Sequence, residues 1–166
     1  MKTSQLDNLA DRSPQRESEP AHLALGRRGE ALASAYLEQQ GYAIVAANFT
    51  LPVGRNLRGV IVSSEIDLVA YEDQTLCFVE VKTRASDWFA PPEANVDRRK
   101  QRQITRAARA YRRIFGLEEV PFRFDVVSVV LPGEDDSVTQ LQVDLLRNFW
   151  TERTLHRKRW LENYYD

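Results

Sequence analysis

The sequence predicts an α/β domain in which helices pack on a mixed β-sheet, with elements in the order α-β-β-β-α-β-β. Two stretches have helical periodicity and each ends at a glycine, and between them lies the pattern of a β-hairpin. A long apolar strand, Phe122 to Leu131, follows the second helix. The chain has 166 residues, of which 43% are hydrophobic, and a net charge of −1, which suits one domain with its own core.

The first helix is predicted over Ala21–Gln40, where apolar residues recur at helical spacing and Gly41 follows as a stop. The second helix is predicted to begin after Asp97, a suitable N-cap, and to end at Gly116. The buried stripe of the first helix comprises Leu25, Gly29, Leu32, Tyr36 and Leu37. The stripe of the second comprises Ile104, Ala107, Ala108, Tyr111 and Phe115.

Strands are predicted from apolar runs that are separated by turn residues. A flexible basic loop, Leu51 to Gly59, comes before the hairpin, whose own loop is Glu72 to Thr75. An acidic turn, Pro132 to Ser137, follows the long strand. The remaining predicted strands are Tyr42–Phe49, Ile66–Tyr71, Leu76–Val81 and Val138–Leu146.

The two ends of the chain differ in composition from its middle. Residues 1–20 are polar and aperiodic, which predicts a disordered tail or an expression remnant before a domain over residues 21–146. Residues 147–166 are rich in Trp, Tyr, Arg and Glu. This C-terminal extension is either a terminal helix that docks its aromatic side chains or a tail that binds a protein partner.

Cysteine content and hydropathy indicate a cytoplasmic protein. The single cysteine, Cys77, lies in an apolar strand and can form no intrachain disulfide, so we expect a packed thiol in a reducing compartment. No apolar run approaches the length of a membrane span, and the N-terminus lacks the apolar core of a signal peptide. We therefore expect no membrane association.

Three charged residues interrupt the hairpin: Asp67 in its first strand, and Glu80 and Lys82 in its second. Glu80 and Lys82 share a face because side chains alternate along a strand. If Tyr71 faces Leu76, the register places Asp67 opposite Glu80, and such cross-strand neighbours have Cβ atoms about 4.5–5.5 Å apart.

Two carboxylates at this separation repel each other unless a proton or a cation lies between them. Carboxylate oxygens suit Mg²⁺ or Mn²⁺, and Lys82 could orient or deprotonate a water or stabilise an anionic transition state. A Glu-x-Lys pattern is more often a solvated strand face. The preceding run Cys77–Val79 is apolar on both faces, which favours a central strand in which charges need partners.

Basic residues are concentrated after the hairpin, with nine Lys or Arg against three Asp or Glu between Arg84 and Arg113. Such a face can bind the phosphate backbone of a nucleic acid, although a solvated helix face is an equally good interpretation. The candidate nucleic-acid contacts are Arg55, Arg58, Arg84, Arg98, Arg99, Lys100 and Arg102.

Several sequence blocks in the same order resemble one family, the YraN family of uncharacterised bacterial proteins. This family is similar to the restriction-endonuclease-like (PD-(D/E)xK) nucleases and to archaeal Holliday junction resolvases. The resemblance covers Ala21 to Leu146. The blocks are Gly26-Arg27-Arg28-Gly29-Glu30-Ala31, Gly41-Tyr42, Glu65-Ile66-Asp67-Leu68, Phe78-Val79-Glu80-Val81-Lys82-Thr83-Arg84, Val96-Asp97-Arg98-Arg99-Lys100-Gln101 and Arg123-Phe124-Asp125-Val126-Val127.

The resemblance implies a restriction-endonuclease-like (tRNA endonuclease-like) fold and Mg²⁺- or Mn²⁺-dependent cleavage of nucleic acid, with DNA, including branched DNA, as the expected substrate. It also implies a homodimer. The implied roles are metal binding by Asp67, Glu80 and the Val81 carbonyl, catalysis by Lys82, an additional acidic ligand in Glu30, and a helper residue in Gln101 or its neighbour Lys100.

The sequence departs from the family pattern in four places. Ile66 replaces the proline of the superfamily motif, Ser64 replaces a typical glycine, residues 51–63 form a longer loop, and the tail after Phe149 is extra. Two other functions stay open. One is a nucleic-acid-binding module without cleavage; the other is an interaction protein that binds through the C-terminal aromatics Trp150, Trp160, Tyr164 and Tyr165.

Overall fold

A computed structural model describes residues 20–85, 96–132 and 140–153. Its two helices and five strands follow the predicted order. The sheet has the order β1-β2-β3-β4-β5. The elements are α1 (Ala21–Gln39), β1 (Ala43–Arg55), β2 (Ile61–Glu72), β3 (Thr75–Ala85), α2 (Arg98–Ile114), β4 (Phe122–Leu131) and β5 (Gln142–Trp150).

The sheet is mixed, as predicted. Strands β1, β2 and β3 form an antiparallel meander. Strand β4 runs parallel to β3, with helix α2 in the connection between them, and β5 returns antiparallel at the far edge. Strand β3 therefore lies in the middle of the sheet, and its residues from Leu76 to Val81 are all buried.

The two helices belong to separate hydrophobic clusters. Helix α1 packs with Cys77, Val79 and Val81 of β3, whereas α2 packs with Leu76 and Phe78. Because these two sets alternate along β3, the helices lie on opposite faces of the sheet. By the same alternation Glu80 and Lys82 belong to the face that α2 covers.

The helix ends agree with the sequence signals. Asp97 is the N-cap of α2 and its side chain accepts a hydrogen bond from the Lys100 amide. Gly41 and Gly116 follow the two helices with φ values of 89° and 65°, a conformation that glycine adopts without strain. The stripe of α2 is buried except for Phe115, which is half exposed. In the stripe of α1, Gly29 and Leu37 are buried, whereas Leu25, Leu32 and Tyr36 are only partly buried.

The β2–β3 hairpin has the predicted register with a shorter loop. Tyr71 pairs with Leu76, and Glu72 pairs with Thr75, so the loop is Asp73-Gln74 and not the four residues expected. Asp73 has a φ of 52°, which asparagine and aspartate tolerate in tight turns. Glu72 and Thr75 thus add one pair to the ladder, and the predicted pairing of the other residues is unchanged.

Several strand boundaries were predicted wrongly. Strand β1 continues to Arg55, and β2 begins at Ile61, so the basic loop shrinks to residues 56–60. Strand β5 covers Gln142–Trp150 and not residues 138–146. It thus crosses the expected domain boundary, and Trp150 is a core residue stacked on Phe124 at 4.8 Å, unavailable to a protein partner.

Some expectations fall on residues outside the described ranges. These are the N-terminal tail over residues 1–19, the connection 86–95, the acidic turn 133–139, and the C-terminal residues 154–166 with Trp160, Tyr164 and Tyr165. Cys77 is buried and forms no disulfide, as expected. Within the described parts of the chain, neither helix has the length and apolar character needed to cross a membrane.

Candidate active site

The sheet opens between β2 and β3 beside Asp67. Going away from the hairpin loop, backbone pairing of the two strands ends at Leu68 and Val79. The next residues on the two strands are Asp67 and Glu80. The Val81 amide instead donates a hydrogen bond to Oδ2 of Asp67 at 2.8 Å. A carboxylate thus occupies the place of a strand carbonyl, and it is held opposite Glu80 as the sequence predicted.

Glu80 is a buried carboxylate in the central strand, with only 1% of its surface exposed. Lys82 donates a hydrogen bond to Oε1 at 2.6 Å. The Lys100 ammonium lies 3.1 Å from Oε2, an ion-pair distance without hydrogen-bond geometry. Among the described residues, the Lys100 ammonium is thus the group that balances the charge of Oε2, and no well-aligned hydrogen bond is made to this oxygen.

The environment of Asp67 favours its protonated form. Burial is the largest cause, and the nearby charge of Glu80 adds to it, while the hydrogen bond from Val81 opposes both. Together they raise the pKa of Asp67 to about 7. A proton or a cation on this carboxyl group therefore stabilises its position beside Glu80.

Helix α2 supplies a second lysine to the site. Burial acts to lower the pKa of Lys100, but the carboxylates of Glu80 and Asp67 outweigh it, so the pKa is raised and the ammonium stays charged. If both carboxylates are ionised, the two lysines balance them and the four side chains carry no net charge. A divalent cation would then give the site a charge of +2, which favours an anionic ligand.

Gln101, the predicted helper, is directed elsewhere. Its side-chain amide donates a hydrogen bond to the Val96 carbonyl at 2.8 Å, next to the N-cap of α2. Lys100, which the sequence left as the alternative, is the residue of this pair that reaches the carboxylates. The role of Gln101 as a helper residue therefore stays a prediction, and Lys100 is the residue of the pair that lies beside Glu80.

Helix α1 packs closely on β3 at Gly29, on the sheet face opposite to Glu80 and Lys82. A Cβ atom at this position would lie 1.7 Å from Oγ1 of Thr83, so only glycine permits the contact with β3. Glu30 follows on the same helix and is partly exposed. Among the residues described, no group of three or more His, Cys, Asp or Glu side chains is placed to hold one metal, so the role of Glu30 as a further ligand stays a prediction.

The candidate nucleic-acid contacts occupy two surfaces. Arg98, Arg99 and Arg102 are exposed on the first turns of α2, close to the site that Lys100 enters. Arg55 and Arg58 are exposed at the turn between β1 and β2. Lys100 itself faces the carboxylates, and Arg84 is partly buried on β3 and engaged in an interaction of its own.

A second polar cluster at the opposite end of the sheet was missed by the sequence analysis. Asp125 is fully buried and accepts hydrogen bonds from the Arg123 guanidinium and the Asn148 amide. Arg123 and Arg147 both contact Glu72 and the Tyr42 hydroxyl. These partners satisfy one another, and the cluster joins β5 to the start of β1 and the end of β2. The only signal was an aspartate in an apolar strand.

Cys77 adjoins this second cluster and has no reactive character. Burial, with a smaller effect from Asp125, raises the pKa of its thiol to about 12. A buried thiol that stays protonated is a poor nucleophile and a poor metal ligand. Its role is packing, in agreement with the sequence.

The fold and the site define an α/β protein with paired carboxylates at the opening of a helix-flanked mixed sheet. The chain belongs to the family described as uncharacterised protein family UPF0102, the YraN family, whose sequence profile matches residues 29–129. This match confirms the resemblance drawn from the separate sequence blocks.

Family proteins from several bacteria are similar to this chain over most of their length. A family protein from Koribacter versatilis is 42% identical to this chain over 124 residues, which cover 75% of this chain and 80% of the relative. One from Solibacter usitatus is 44% identical over 76% of this chain and 87% of its own. One from Chlorobium limicola is 37% identical over 78% of this chain and 94% of its own.

Proposed function

We propose that this protein is a metal-dependent nuclease that hydrolyses phosphodiester bonds in DNA. One observation carries the proposal: two carboxylates, the buried Glu80 and Asp67, lie opposite each other where the sheet opens, and Oε2 of Glu80 has only the Lys100 ammonium beside it. The similarity of the family to PD-(D/E)xK nucleases points the same way.

The residues present fit a bound Mg²⁺ or Mn²⁺. Asp67 and Glu80 would hold the cation together with the Val81 carbonyl, and Mg²⁺ is commonly bound by only one or two carboxylates, with waters and substrate phosphates completing its shell. The raised pKa of Asp67 supports this fit, because a cation relieves the repulsion that otherwise favours a proton. Glu30 remains a proposed further ligand.

When bound, such a cation supplies Lewis-acid polarisation of the phosphodiester and lowers the pKa of a water in the site. The protein supplies position and charge. Lys82 is fixed beside Glu80 on the same strand face, so its ammonium can stabilise the charge that develops on the attacked phosphate or orient the water. Lys100 brings a second ammonium to the same carboxylate from α2.

The basic surfaces would hold the substrate backbone. Arg98, Arg99 and Arg102 form an exposed group at the start of α2, and each cation that contacts a phosphate releases counterions from the nucleic acid. Arg84 extends along β3 from Lys82 on the same side of the hairpin opening. These contacts predict binding that weakens with salt.

A nucleic-acid-binding module without cleavage is the second candidate. The observation in its favour is that Lys82 and Lys100 both form ion pairs with Glu80, so this carboxylate has cationic partners without a metal. A buried carboxylate with two ammonium partners can be a purely structural arrangement.

The test is cleavage of labelled four-way junction, flap, linear and single-stranded DNA with Mg²⁺ or Mn²⁺. Glu80→Ala and Lys82→Ala are compared with Glu38→Ala, a control at an exposed position on α1. Loss of cleavage in both site variants, with DNA binding retained, supports the nuclease. Binding without cleavage under either metal supports the second candidate, and neither binding nor cleavage contradicts both.

A further inference from the structure

A two-stranded ribbon projects from the sheet beside the site. Beyond the last β2–β3 pair, β2 stays paired with β1, from Leu51↔Ser64 to Arg55↔Ile61, while β3 stays paired with β4 as far as Ala85. We call residues 51–64 the β1–β2 arm. Its base is anchored, because Leu51 and Val53 pack in the cluster that includes α2.

The turn at the end of the arm is held by hydrogen bonds. The Asn56 side chain accepts from the amides of Arg58 at 2.9 Å and Val60 at 3.0 Å, and the Arg55 guanidinium donates to the Gly59 carbonyl at 2.7 Å. Gly59 has a φ of 76°, which the turn requires. The tip is therefore ordered before any ligand arrives, so binding loses little conformational entropy there.

This ordered turn presents apolar side chains to solvent. Leu57 at its apex has a relative exposure of 108%, and Val60 and Ile61 are more than half exposed. Residues 51–64 include Arg55 and Arg58 and no Asp or Glu. An apolar tip with a wholly basic charge is unusual on a solvent-exposed ribbon and is typical of a binding surface for a polyanion with apolar faces.

We propose that the β1–β2 arm enters a groove of duplex DNA, with Leu57 inserted at a base step where stacking is already interrupted and Arg58 on the phosphate backbone. Proteins kink DNA with such apolar wedges, and the cost of unstacking is smallest at a nick, gap, flap or branch. The inference rests on the proposed function, because it takes Asp67 and Glu80 to act on the same DNA. The arm would then hold the nick, gap, flap or branch in the DNA next to the opening between β2 and β3.

DNA fits the arm better than RNA or a second copy of the chain. A two-stranded ribbon can enter the major or the minor groove of DNA, whereas the major groove of A-form RNA is deep and too narrow for side chains to read. In a symmetric pair of arms the same surface would meet itself, which brings Arg58 close to its own copy. Because the arm has no acidic residue, these arginines would find no oppositely charged partner in the other arm.

Binding is measured by fluorescence anisotropy of the full chain on nicked, flapped, intact and single-stranded DNA in chelator, which stops metal-dependent cleavage. We expect Leu57→Ser to weaken binding to nicked and flapped DNA by roughly tenfold, with an unchanged salt dependence because no charge is lost. Arg58→Ala should reduce the salt slope by about one unit. Both substitutions are at exposed positions of the turn, so folding should be retained.

Two controls match these variants. Ile114→Ser and Arg113→Ala remove an exposed apolar and an exposed basic side chain at the end of α2, about 20 Å along the helix from Lys100. A 2-aminopurine base at the discontinuity reports insertion directly. Its fluorescence should rise when the wild type and both controls bind, and it should not rise with Leu57→Ser.

The outcomes separate this inference from the proposed function. Arm-dependent binding without cleavage by any metal would support the arm and contradict the nuclease. Metal-dependent cleavage with wild-type affinity, salt slope and 2-aminopurine signal in both arm variants would contradict the arm alone. A dimer in light scattering that Leu57→Ser converts to a monomer, with DNA binding unchanged, would show that the tip is a protein interface and overturn the proposal.

Discussion

The Val81 amide donates its hydrogen bond to the carboxylate of Asp67 across the opening between β2 and β3. In an uninterrupted ladder this amide would find a backbone carbonyl. Because the Asp67 side chain accepts in place of a backbone carbonyl, β2 and β3 stay joined at this position. Beyond it the two strands separate. The same hydrogen bond also fixes Asp67 opposite Glu80. It therefore both holds the two strands together and positions the carboxylates of the candidate site.

Lys100 and Gln101 give a paired prediction about metal affinity. Lys100→Ala removes a cation 3.1 Å from the Glu80 carboxylate, so Mg²⁺ should bind more tightly, on the order of tenfold. Gln101→Ala should leave Mg²⁺ affinity unchanged, because its amide contacts the Val96 carbonyl. Isothermal titration calorimetry measures both. Equal effects, or weaker binding in Lys100→Ala, would contradict the assignment of Lys100 as the charge partner of Glu80.

Gly26 and Gly29 give a prediction about stability, because they lie on one helix in different surroundings. An alanine Cβ at position 26 would meet no other atom within 4 Å, so Gly26→Ala should raise the free energy of unfolding by about 0.5–1 kcal/mol through helix propensity. An alanine at position 29 would overlap Thr83, and Gly29→Ala should lower it by roughly 1–3 kcal/mol. Urea denaturation measures both.

A stabilising effect of both alanines would show that α1 does not dock closely on β3. A further variant, Gly29→Ala with Thr83→Ala, removes the Oγ1 and Cγ2 atoms that the new Cβ would meet. It should recover part of the loss, because the Thr83 Cβ still lies within 3 Å of the added atom. Full loss in the double variant would place the cause of the instability elsewhere.

Local patterns predicted the carboxylate pair because a strand ladder leaves few choices. Once Tyr71 faces Leu76, side-chain alternation brings Asp67 to Glu80, and the two-residue error in loop length did not shift that register. The sequence could also predict the helix ends, because Asp97 and Gly116 act through backbone geometry that depends little on tertiary contacts.

The sequence could not decide features that depend on packing between distant elements. Helix phase placed Lys100 and Gln101 side by side, but which one reaches Glu80 depends on how α2 crosses the sheet. The end of β5 was missed for a similar reason. Trp150 was assigned to an extension that was either a terminal helix or a partner-binding tail. Its burial follows from stacking on Phe124 and a hydrogen bond to Thr105 on α2.

Trp150 therefore carries a stability prediction. Trp150→Ala should lower the free energy of unfolding by about 3–5 kcal/mol, because it removes a fully packed aromatic side chain and leaves the Thr105 hydroxyl without this donor. Trp150→Phe should cost less, since the ring can still stack. Thermal and urea unfolding measure both variants. A change below 1 kcal/mol in Trp150→Ala would show that β5 contributes little to the core.

The raised pKa of Asp67 predicts an unusual pH dependence of stability in the metal-free protein. In the unfolded chain the carboxyl group has a pKa near 3.8, and in the folded protein its pKa is about 7, so between these values the folded state binds more protons. The contribution of Asp67 to the free energy of unfolding therefore falls as pH rises through this window. Asp67→Asn should remove this decrease in the free energy of unfolding. The variant should therefore become more stable relative to the wild type as pH increases.

The measurement is urea denaturation in chelator from pH 4.5 to pH 8, with Asp144→Asn as a control at an exposed carboxylate on β5. The difference between wild type and Asp67→Asn should change with pH, whereas the difference for Asp144→Asn should change far less. Mg²⁺ should stabilise the wild type more at pH 8 than at pH 5, because the cation competes with the proton for the same carboxyl group. A pH-independent difference for Asp67→Asn would mean that the pair with Glu80 does not require a proton or a cation.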